Sequence, residues 1–551
     1  MRKILFSSNK NPIQYTSEEA LAFLLENNFS KQQYMNIRLS SKSRNCDIYP
    51  PYSEILKTKM ECRINELEAS DCKVKVPLKN LLEHTLQRIV MLQEEVIESL
   101  MNQNNMNFLE AELICSYGFD GSSGHSNYKQ QFCNSEIFQQ TDSTLFATTM
   151  IPLRLKCVDK NIILWNNPTP QSVRFCRPIK LEFIKETKEV VKKENDDLNK
   201  EIKEISEVQI SLPNNKILRV KFNLFLTILD GTVLNYITDT KSFFTCPVCG
   251  AKPSDFLSIR DFKSKLFQPK PDRIKYGISP LHFWIRLFEC ILHISYRIDI
   301  KHWSIRGNDK EKLKVRKAEI QQRFWEKLSL HVDKSIPGGS GNTNDGNTSR
   351  RAFSEPATFA EITDVDETLI TRFRNILISL SCQYPLDLDK FETYCFQTAN
   401  IFMDKYPWYP MTPTVHKILI HSRQILEYSV LPVGFLGEDA AESRNKLYKH
   451  DRLFHARKSS RKNNLTDVFN RAMETSDPLI SSVDLKKRMQ RRVRLSLPVD
   501  VLNLLQVPDF EPEPSTSTSP SEIDNEDIIE ECIFNFDIGL LNSLELETQE
   551  M

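Results

Sequence analysis

Apolar side chains recur at helical spacing between residues 77 and 105, and this pattern predicts one long amphipathic helix or a helix pair. Other apolar residues cluster in short runs that predict strands, at residues 109–120, 144–157, 161–165 and 217–228. Lysine and glutamate interleave with helical period between residues 185 and 207, which is typical of a solvated helix. Helices and strands are therefore both expected, and the predicted fold class is α+β.

Two of the predicted strands end at an aspartate. Residues 109–120 end at Asp120, which a loop of small residues follows, and residues 217–228 meet Asp230. A carboxylate at a strand end beside small residues has room for a metal ion and a phosphate, although Asp-Gly is also an ordinary turn signal. Two to three strands and a helix separate the aspartates. This order matches the ribonuclease-H-like fold, in which acids on the first and fourth strands lie side by side.

A third acid is expected on a later helix of such a fold. Glu442 opens a predicted helix and stands beside a dense run of cations. It lies about 200 residues after Asp230, so the intervening chain must contain an inserted domain. Glu438 and Asp439, one turn upstream, are alternatives for the same role.

The inserted region contains a possible zinc site. Cys246 and Cys249 form a Cys-x-x-Cys knuckle, and His416 and His421 form a His-x4-His pair far downstream. Two thiolates and two imidazoles suit a closed tetrahedral zinc site. The histidine pair alone is weak, because residues five apart on an ideal helix point about 140° away from each other. The pair therefore requires a helix end or a local distortion.

Composition limits the class of protein. The chain has 551 residues, of which 40% are hydrophobic and 26% charged, and this suits a soluble protein of about three or four domains. We expect no membrane attachment, because no apolar run approaches the roughly 20 residues of a membrane helix, and no signal peptide. The 13 cysteines are odd in number and scattered, which indicates an intracellular, reduced protein.

The formal net charge of zero hides an asymmetry. Residues 508–551 contain 13 Asp and Glu and no Lys or Arg, so residues 1–507 carry a net charge of +13. A basic body suggests a polyanionic partner. The acidic tail has the composition of a disordered segment, and it could be a solvated extension or a competitor for a DNA channel.

Five stretches of the chain together resemble the Transib-type DNA transposases, which are similar to the catalytic subunit of the V(D)J recombinase. They are DGSSGHSNYKQ with Asp120, the strand that meets Asp230, CPVC, HKILIH, and ESRNKLYKHDRLFHARK with Glu442. They occur in the family's order and at similar separations. The resemblance covers residues 36–480, and the N-terminal domain with which the vertebrate recombinase reads part of its signal is not recognisable.

The resemblance implies a split ribonuclease-H-like (DDE) core interrupted by a mostly helical zinc-binding insertion. Asp120, Asp230 and Glu442 would be catalytic ligands of Mg²⁺ (or Mn²⁺), and the two cysteines and two histidines would bind Zn²⁺. The expected segments are an N-terminal segment (1–35), a dimerisation and DNA-binding module (36–75), a helical pre-catalytic segment (76–108), the first core part (109–245), the insertion (246–424), the second core part (425–470), a basic helical region (471–507) and the acidic disordered tail (508–551).

The function that the resemblance implies is transposition by two-metal phosphoryl transfer. The enzyme would bind terminal inverted repeats, nick the transposon end, form a hairpin on the flanking DNA and join the transposon 3′-ends to target DNA. Its partners would be double-stranded DNA and a second copy of the chain, in the nucleus. The alternative is a domesticated, catalytically silent DNA-binding protein on the same fold.

Basic and aromatic residues supply candidate DNA contacts. Arg350 and Arg351 follow the Gly- and Asn-rich segment 337–348, which is a plain loop or a DNA-contacting one. Trp408 could stack on a flipped base or pack in the core. A second basic cluster occupies residues 486–494, and both clusters could be solvated helix faces or nuclear localisation signals. The first basic cluster provides Arg444, Lys446, Lys449, Arg452, Arg457 and Lys458 as candidates.

Overall fold

The structure is a computed structural model of the chain that describes residues 12–125, 128, 141–159, 162–335, 342–483, 485, 488, 494–506 and 533–535. The strands are β1 (Glu68–Ala69), β2 (Lys73–Lys75), β3 (Phe108–Ser123), β4 (Thr144–Cys157), β5 (Ile163–Asn166), β6 (Arg177–Glu182), β7 (Val208–Leu212), β8 (Lys216–Ile228), β9 (Arg494–Ser496) and β10 (Ile533–Asn535). The helices are α1 (Ser17–Glu26), α2 (Lys31–Lys42), α3 (Tyr52–Glu61), α4 (Leu78–Gln103), α5 (Lys188–Glu204), α6 (Gly231–Ile237), α7 (Pro253–Ser258), α8 (Pro271–Ile274), α9 (Pro280–Ser295), α10 (Asp309–Leu328), α11 (Gly346–Ser354), α12 (Pro356–Thr363), α13 (Glu367–Ser381), α14 (Leu388–Lys405), α15 (Pro413–Tyr428), α16 (Asp439–Phe454), α17 (Arg461–Thr475), α18 (Pro478–Ser482) and α19 (Val499–Leu502).

A mixed sheet forms the centre of the first half of the chain. Its strands follow the order β1-β2-β6-β4-β3-β8-β7, with β5 paired to β4. The β3–β8 pair is parallel, and the other pairs of this sheet are antiparallel. The predicted strands and the α+β class are confirmed, although β3 continues three residues past Asp120 to Ser123. Strands β1, β2, β6 and β7 of this sheet, and the pair β9 and β10, were not predicted.

The two parallel strands approach each other closely just before the aspartates. Gly118 pairs with Ile228, and the register shifts by one residue between Tyr117 and Gly118. A Cβ atom at position 118 would lie 2.0 Å from the carbonyl oxygen of Ile228, so only glycine fits. Because β3 and β8 run in the same direction, their C-terminal ends lie together, and Asp120 and Asp230 follow at that edge.

The long predicted amphipathic helix is confirmed as the single helix α4, and it covers part of the sheet. Its buried side chains, among them Leu82, Leu86 and Ile89, join the core of β3, β4, β6 and β8. The helices that follow the insertion, α16 and α17, contribute to the same core, with α16 against β3 and α17 against β6. Residues 74–233 and 431–473 therefore share one hydrophobic core.

The region between α6 and α16 is mostly helical and has its own core, built by helices α7 to α15. The chain returns to this core at its far end, because Leu497, Val501 and Leu504 pack into it and Asn375 donates a hydrogen bond to Asp500 at 3.0 Å. Residues 497–505 therefore pack with the insertion. They do not form part of a separate basic region 471–507, as the sequence had predicted.

Three expected domain boundaries fall inside helices. The boundary at 35/36 lies within α2, that at 424/425 within α15, and that at 470/471 within α17. Helices α1, α2 and α3 share one small core with α18, since Leu21, Tyr34, Ile55 and Ile480 are buried together. The segment 1–35 is therefore part of the N-terminal module rather than separate from it.

Several expectations fall on residues outside the described set. These include residues 336–341 of the Gly-rich segment, most of the second basic cluster, and the acidic tail except for β10. Helix α11 begins at Gly346 with Asp345 as its N-cap, so the loop predicted through 348 ends earlier. In the tail, β10 forms an antiparallel pair with β9, so the expected disorder does not extend to Ile533–Asn535. None of the helices in the described part of the chain combines the length and apolar character needed to cross a membrane.

Candidate active site and metal centres

Asp120, near the C-terminal end of β3, and Asp230, two residues past the adjacent parallel strand β8, lie at the same edge of the sheet. Asp230 is the N-cap of α6 and accepts a hydrogen bond from the backbone N–H of Val233 at 2.6 Å. Asp120 accepts a hydrogen bond from the side-chain amide of Asn445 at 2.6 Å, and Asn445 lies on α16. The structure therefore joins the edge of the sheet to the helix that begins with the third predicted acid.

Five carboxyl groups lie within electrostatic reach of one another at this edge. The pKa of Asp120 is raised well above its ordinary value, first by burial and then by the carboxylates of Asp230, Glu186, Glu438 and Glu442. Carboxylates crowded in this way repel one another unless protons or cations compensate them. Hard oxygen donors of this kind are the ligands that Mg²⁺ and Mn²⁺ prefer. The donor atoms present are therefore of the type that suits a divalent cation.

Glu186 was not predicted as part of this site. It lies four residues after β6, next to the N-cap of α5, and accepts a hydrogen bond from the backbone N–H of Gly121 at 3.0 Å. A side chain at position 121 would collide with Glu186, so glycine permits the approach. Burial, and then the charge of Asp230, raise the pKa of Glu186 to about 7. The sequence offered no local signal for this acid, because it lies in the connection between β6 and α5.

Glu438 and Glu442 both face the cluster, but in different environments. Glu438 is buried and hydrogen-bonded to Ser279 and His282 from α9. Burial disfavours a charged imidazole, but Glu438 and then Asp230 raise the pKa of His282 to about 9. The side chain of Glu442 is 45% exposed and lies 4.0 Å from Lys446. Glu442 is thus the more exposed of the two acids, whereas Glu438 is committed to its hydrogen bonds with Ser279 and His282.

The second predicted metal site also comes together. One ligand atom from each of Cys246, Cys249, His416 and His421 lies within 4.8 Å of the others. Both ring nitrogens of His421 are buried without a hydrogen-bond partner among the described residues, and this suits a metal ligand. His416 lies in the first turn of α15, so the expected helix end is present, and the two imidazole rings are 4.9 Å apart. This cluster could bind zinc.

Aromatic packing fixes the orientation of the zinc-site histidine nearest the helix end. Phe256 stacks on the ring of His416 with centroids 4.3 Å apart, and Phe267 meets it edge-on at 4.7 Å. Burial opposes ionisation of the Cys246 thiol, but the neighbouring Cys249 and His421 side chains place the pKa of Cys246 well below its ordinary value. A thiolate is the form that binds zinc.

Two of the predicted DNA contacts are corrected. Arg444 is fully buried and donates to the Thr475 hydroxyl at 2.7 Å and to the Val173 carbonyl. Arg452 is also buried, and donates to the Asp142 carbonyl at 2.8 Å. Side chains enclosed in this way cannot meet a phosphate, and their role is to fasten α16 to the sheet and to the chain beside it.

Three further candidates already have protein partners. Arg350 donates to Asp439 at 2.7 Å, which ties α11 to the first turn of α16. Arg457 is exposed but forms a two-pronged ion pair with Asp467, both contacts at 2.8 Å. Trp408 is half-buried and packs against the insertion core.

The other candidates reach the surface. Arg351, Lys446 and Lys458 are exposed, and Lys449 is half-exposed. The ammonium group of Lys449 would lie 3.3 Å from a Cβ atom at Gly124, so this cation is next to the loop that follows β3. The surface beside Asp120 therefore carries positive charge.

Comparison with known proteins gives little further information. No family model matches the sequence, and no curated protein matches it. Among solved structures, the chain is similar to the Drosophila P element transposase strand transfer complex, with 11% sequence identity and a TM-score of 0.27. The match covers 85% of this chain and 92% of that chain. A TM-score of this size is too low to establish a shared fold.

Proposed function

We propose that the protein is a DNA transposase of the Transib type, with a split ribonuclease-H-like core that cleaves and joins DNA. The observation that carries the proposal is the carboxyl cluster, in which Asp230, just past β8, and Glu442 from α16 lie within electrostatic reach of Asp120 in the adjacent parallel strand β3. The strand order around β3 supports this core. On one side β4 is antiparallel to β3 and β6 is antiparallel to β4, and on the other side β8 is parallel to β3.

Asp120, Asp230 and Glu442 would hold Mg²⁺ or Mn²⁺, with Glu186 as an additional oxygen donor. The metal ions would activate the attacking oxygen and stabilise the leaving oxygen. Asn445 keeps the Asp120 carboxylate oriented through its 2.6 Å hydrogen bond. This geometry requires β3 and α16 to stay in contact, and the hydrogen bonds of Arg444 to Thr475 and Val173 hold α16 against α17 and the segment before β6.

The proposed reaction proceeds by successive in-line displacements at phosphorus. Water attacks at the transposon end, and the released 3′-oxygen takes up a proton. The new 3′-hydroxyl then attacks the opposite strand, which closes a hairpin on the flank, and the transposon 3′-ends finally attack target DNA. Pairing two transposon ends calls for a homodimer, and the nucleus is the proposed location. The exposed cations Lys446, Lys449 and Lys458 would contact phosphates near the cut.

Cleavage of a labelled duplex tests this proposal. The full chain is incubated with Mg²⁺ or Mn²⁺ and a duplex that carries a Transib-like terminal inverted repeat and its flank, and denaturing gels separate nicked strands from hairpins. We expect both products from the wild type. Asp120→Asn, Asp230→Asn and Glu442→Gln should abolish them while binding, measured by fluorescence anisotropy, persists.

Matched controls use acids of similar exposure outside the cluster. Asp197→Asn on α5 and Glu427→Gln on α15 should cleave like the wild type, since both side chains are about half exposed. If Glu442→Gln cleaves normally and Glu438→Gln does not cleave, then Glu438 and not Glu442 is the third carboxylate ligand. Binding to the repeat without cleavage under any metal would favour the domesticated, catalytically silent alternative.

A further inference from the structure

A third group of metal-ligating side chains lies at the C-terminal end of α16. His450 and Asp451 are in the last turn, and His455 is the C-cap residue, with its backbone N–H bonded to the Asp451 carbonyl at 2.9 Å. One ligand atom from each of the three side chains lies within 4.8 Å of the others. The spacing thus brings two imidazoles and a carboxylate together at one end of the helix.

Two observations show that these groups are held in place and that one of them lacks a partner. The Nε2 atom of His455 is buried and has no hydrogen-bond partner among the described residues, which is costly for an imidazole nitrogen. Asp451 is buried and accepts a hydrogen bond from Arg471 at 2.8 Å through one oxygen. A carboxylate fixed by an outer partner is the usual arrangement for a metal ligand.

We propose that His450, Asp451 and His455 form a second transition-metal site, which binds zinc or a related late first-row ion. Two nitrogen donors and one oxygen favour such an ion over Mg²⁺. The His450 side chain is 40% exposed, so the fourth position opens to water, unlike the closed Cys2His2 cluster.

The charges around the site oppose a cation only in part. Arg471 bonds directly to Asp451, and Lys59 lies near His455 but is also 3.6 Å from Glu474. Glu474 therefore offsets Lys59, and the imidazole bonds to a transition ion must outweigh the repulsion of Arg471. A hard cation such as Mg²⁺, which is held mainly by charge, would gain too little binding energy from one carboxylate to offset this repulsion. The bound ion would fasten the end of α16 to the turn that leads to α17.

Metal content of the full-length protein tests the site without DNA or cleavage, so its result is separate from that of the proposed function. After gel filtration from zinc-containing buffer, elemental analysis should find one equivalent at the Cys2His2 cluster and a further equivalent at this site. The combined His450→Ala and His455→Ala substitutions should remove only the further equivalent. His302→Ala, a change of an exposed histidine before α10, should remove neither.

Cobalt substitution distinguishes the two sites by their ligands. The Cys2His2 cluster should show thiolate-to-cobalt charge-transfer absorption, whereas the proposed site should add only weak visible bands. His450→Gln, at a partly exposed position that leaves the fold intact, should remove those weak bands and keep the charge-transfer absorption.

Three results would overturn the proposal. The first is a wild-type protein that contains only one equivalent of zinc, which the Cys246→Ser substitution removes. The second is retention of the further equivalent in the double histidine variant, and the third is its loss in His302→Ala, which would identify adventitious surface binding.

Discussion

Replacing Glu186 with glutamine should stabilise the metal-free protein at alkaline pH. The carboxyl group of Glu186 is half-buried beside Asp230, and burial raises its pKa from 4.5 to about 7. Glutamine has the same shape, and its carbonyl oxygen can still accept the hydrogen bond from Gly121. The substitution therefore removes a disfavoured charge and little else.

The size of the effect follows from the pKa shift. Each pKa unit corresponds to 1.36 kcal/mol, so ionised Glu186 costs the folded protein about 3 kcal/mol. Partial exposure to solvent reduces this cost to roughly 2 kcal/mol. In hydrogen exchange, roughly 2 kcal/mol corresponds to about thirtyfold slower exchange of the backbone amides in the affected region.

The pH dependence has a definite sign. Below about pH 4.5 Glu186 is protonated in both the folded and the unfolded chain, so wild type and Glu186→Gln should be equally stable. Between about 4.5 and 7 the folded chain retains a proton that the unfolded chain releases, and the wild type loses stability as the pH rises. Above about 7 the full cost is present.

Hydrogen–deuterium exchange of peptides from β3 is the appropriate assay, because it reports the sheet separately from the helical insertion. Wild type and variant are compared at the same pH, at pH 5 and pH 8, in magnesium-free buffer without a chelator, so that the zinc cluster stays loaded. Asp197→Asn, in the solvated helix α5, is the control and should show no difference. Added Mg²⁺ should protect β3 in the wild type more than in Glu186→Gln.

Equal or faster exchange in Glu186→Gln at pH 8 would refute this reasoning. The same would follow from a difference that is already complete at pH 5, since a packing effect would not depend on ionisation. Either outcome would mean that Glu186 is not held as a charged group beside Asp230.

Three other substitutions have outcomes that follow from single contacts. Asn445→Leu removes the donor to Asp120, so the Mn²⁺ concentration for half-maximal cleavage should rise about 10- to 100-fold in a metal titration. Asp477→Asn leaves the buried Arg88 guanidinium without its 2.9 Å partner, and hydrogen exchange in α4 should report a loss of roughly 3–5 kcal/mol. His421→Ala should release the zinc of the Cys2His2 cluster and lower the melting temperature of the insertion, as seen by elemental analysis and calorimetry.

Each of these substitutions has a matched control. Asn463→Leu on α17 should leave the Mn²⁺ requirement unchanged, and an equal shift would show that loss of any nearby amide has the same effect. Glu54→Gln breaks only an exposed ion pair with Lys57, so it should cost less than about 1 kcal/mol. His302→Ala should retain zinc, and a stable, zinc-loaded His421→Ala protein would exclude that histidine as a ligand.

The positions of Asp120 and Asp230 could be predicted because they depend on local pattern and on one topological rule. Each acid follows an apolar strand run, and acids at the C-terminal ends of parallel neighbours must lie close together. Glu186 could not be found in this way. It precedes a helix rich in lysine and glutamate, where every acid has the same sequence surroundings, and only the pairing of β6 with β4 selects this one.

The hydrogen-bond partners of the buried arginines could not be predicted from the sequence for a different reason. Arg444 bonds to Val173, which is 271 residues away, and Arg452 bonds to Asp142, which is 310 residues away. A dense run of cations predicts a solvated or DNA-binding face. The local sequence does not reveal which of these arginines and lysines donate hydrogen bonds to carbonyl groups far along the chain. The contact between His282 and Glu438, 156 residues apart, escaped prediction for the same reason.

Helical phase separates the roles of the charged residues on α16. Glu438, Glu442 and Asn445 follow each other at intervals of four and three residues, so they share the face that meets the carboxyl cluster. Arg444 points about 100° away from Asn445, and its side chain is buried. One helix thus presents acids to the proposed metal ions while its buried arginines fix its distance from the sheet.

This division predicts how variants of the basic run should differ. A change at exposed Lys446 alters only the charge that DNA meets, and its effect should decrease as salt screens the phosphates. A change at Arg444 moves α16 itself, and with it the carboxylate of Glu442 and the amide of Asn445. Its effect on cleavage should therefore persist at every salt concentration.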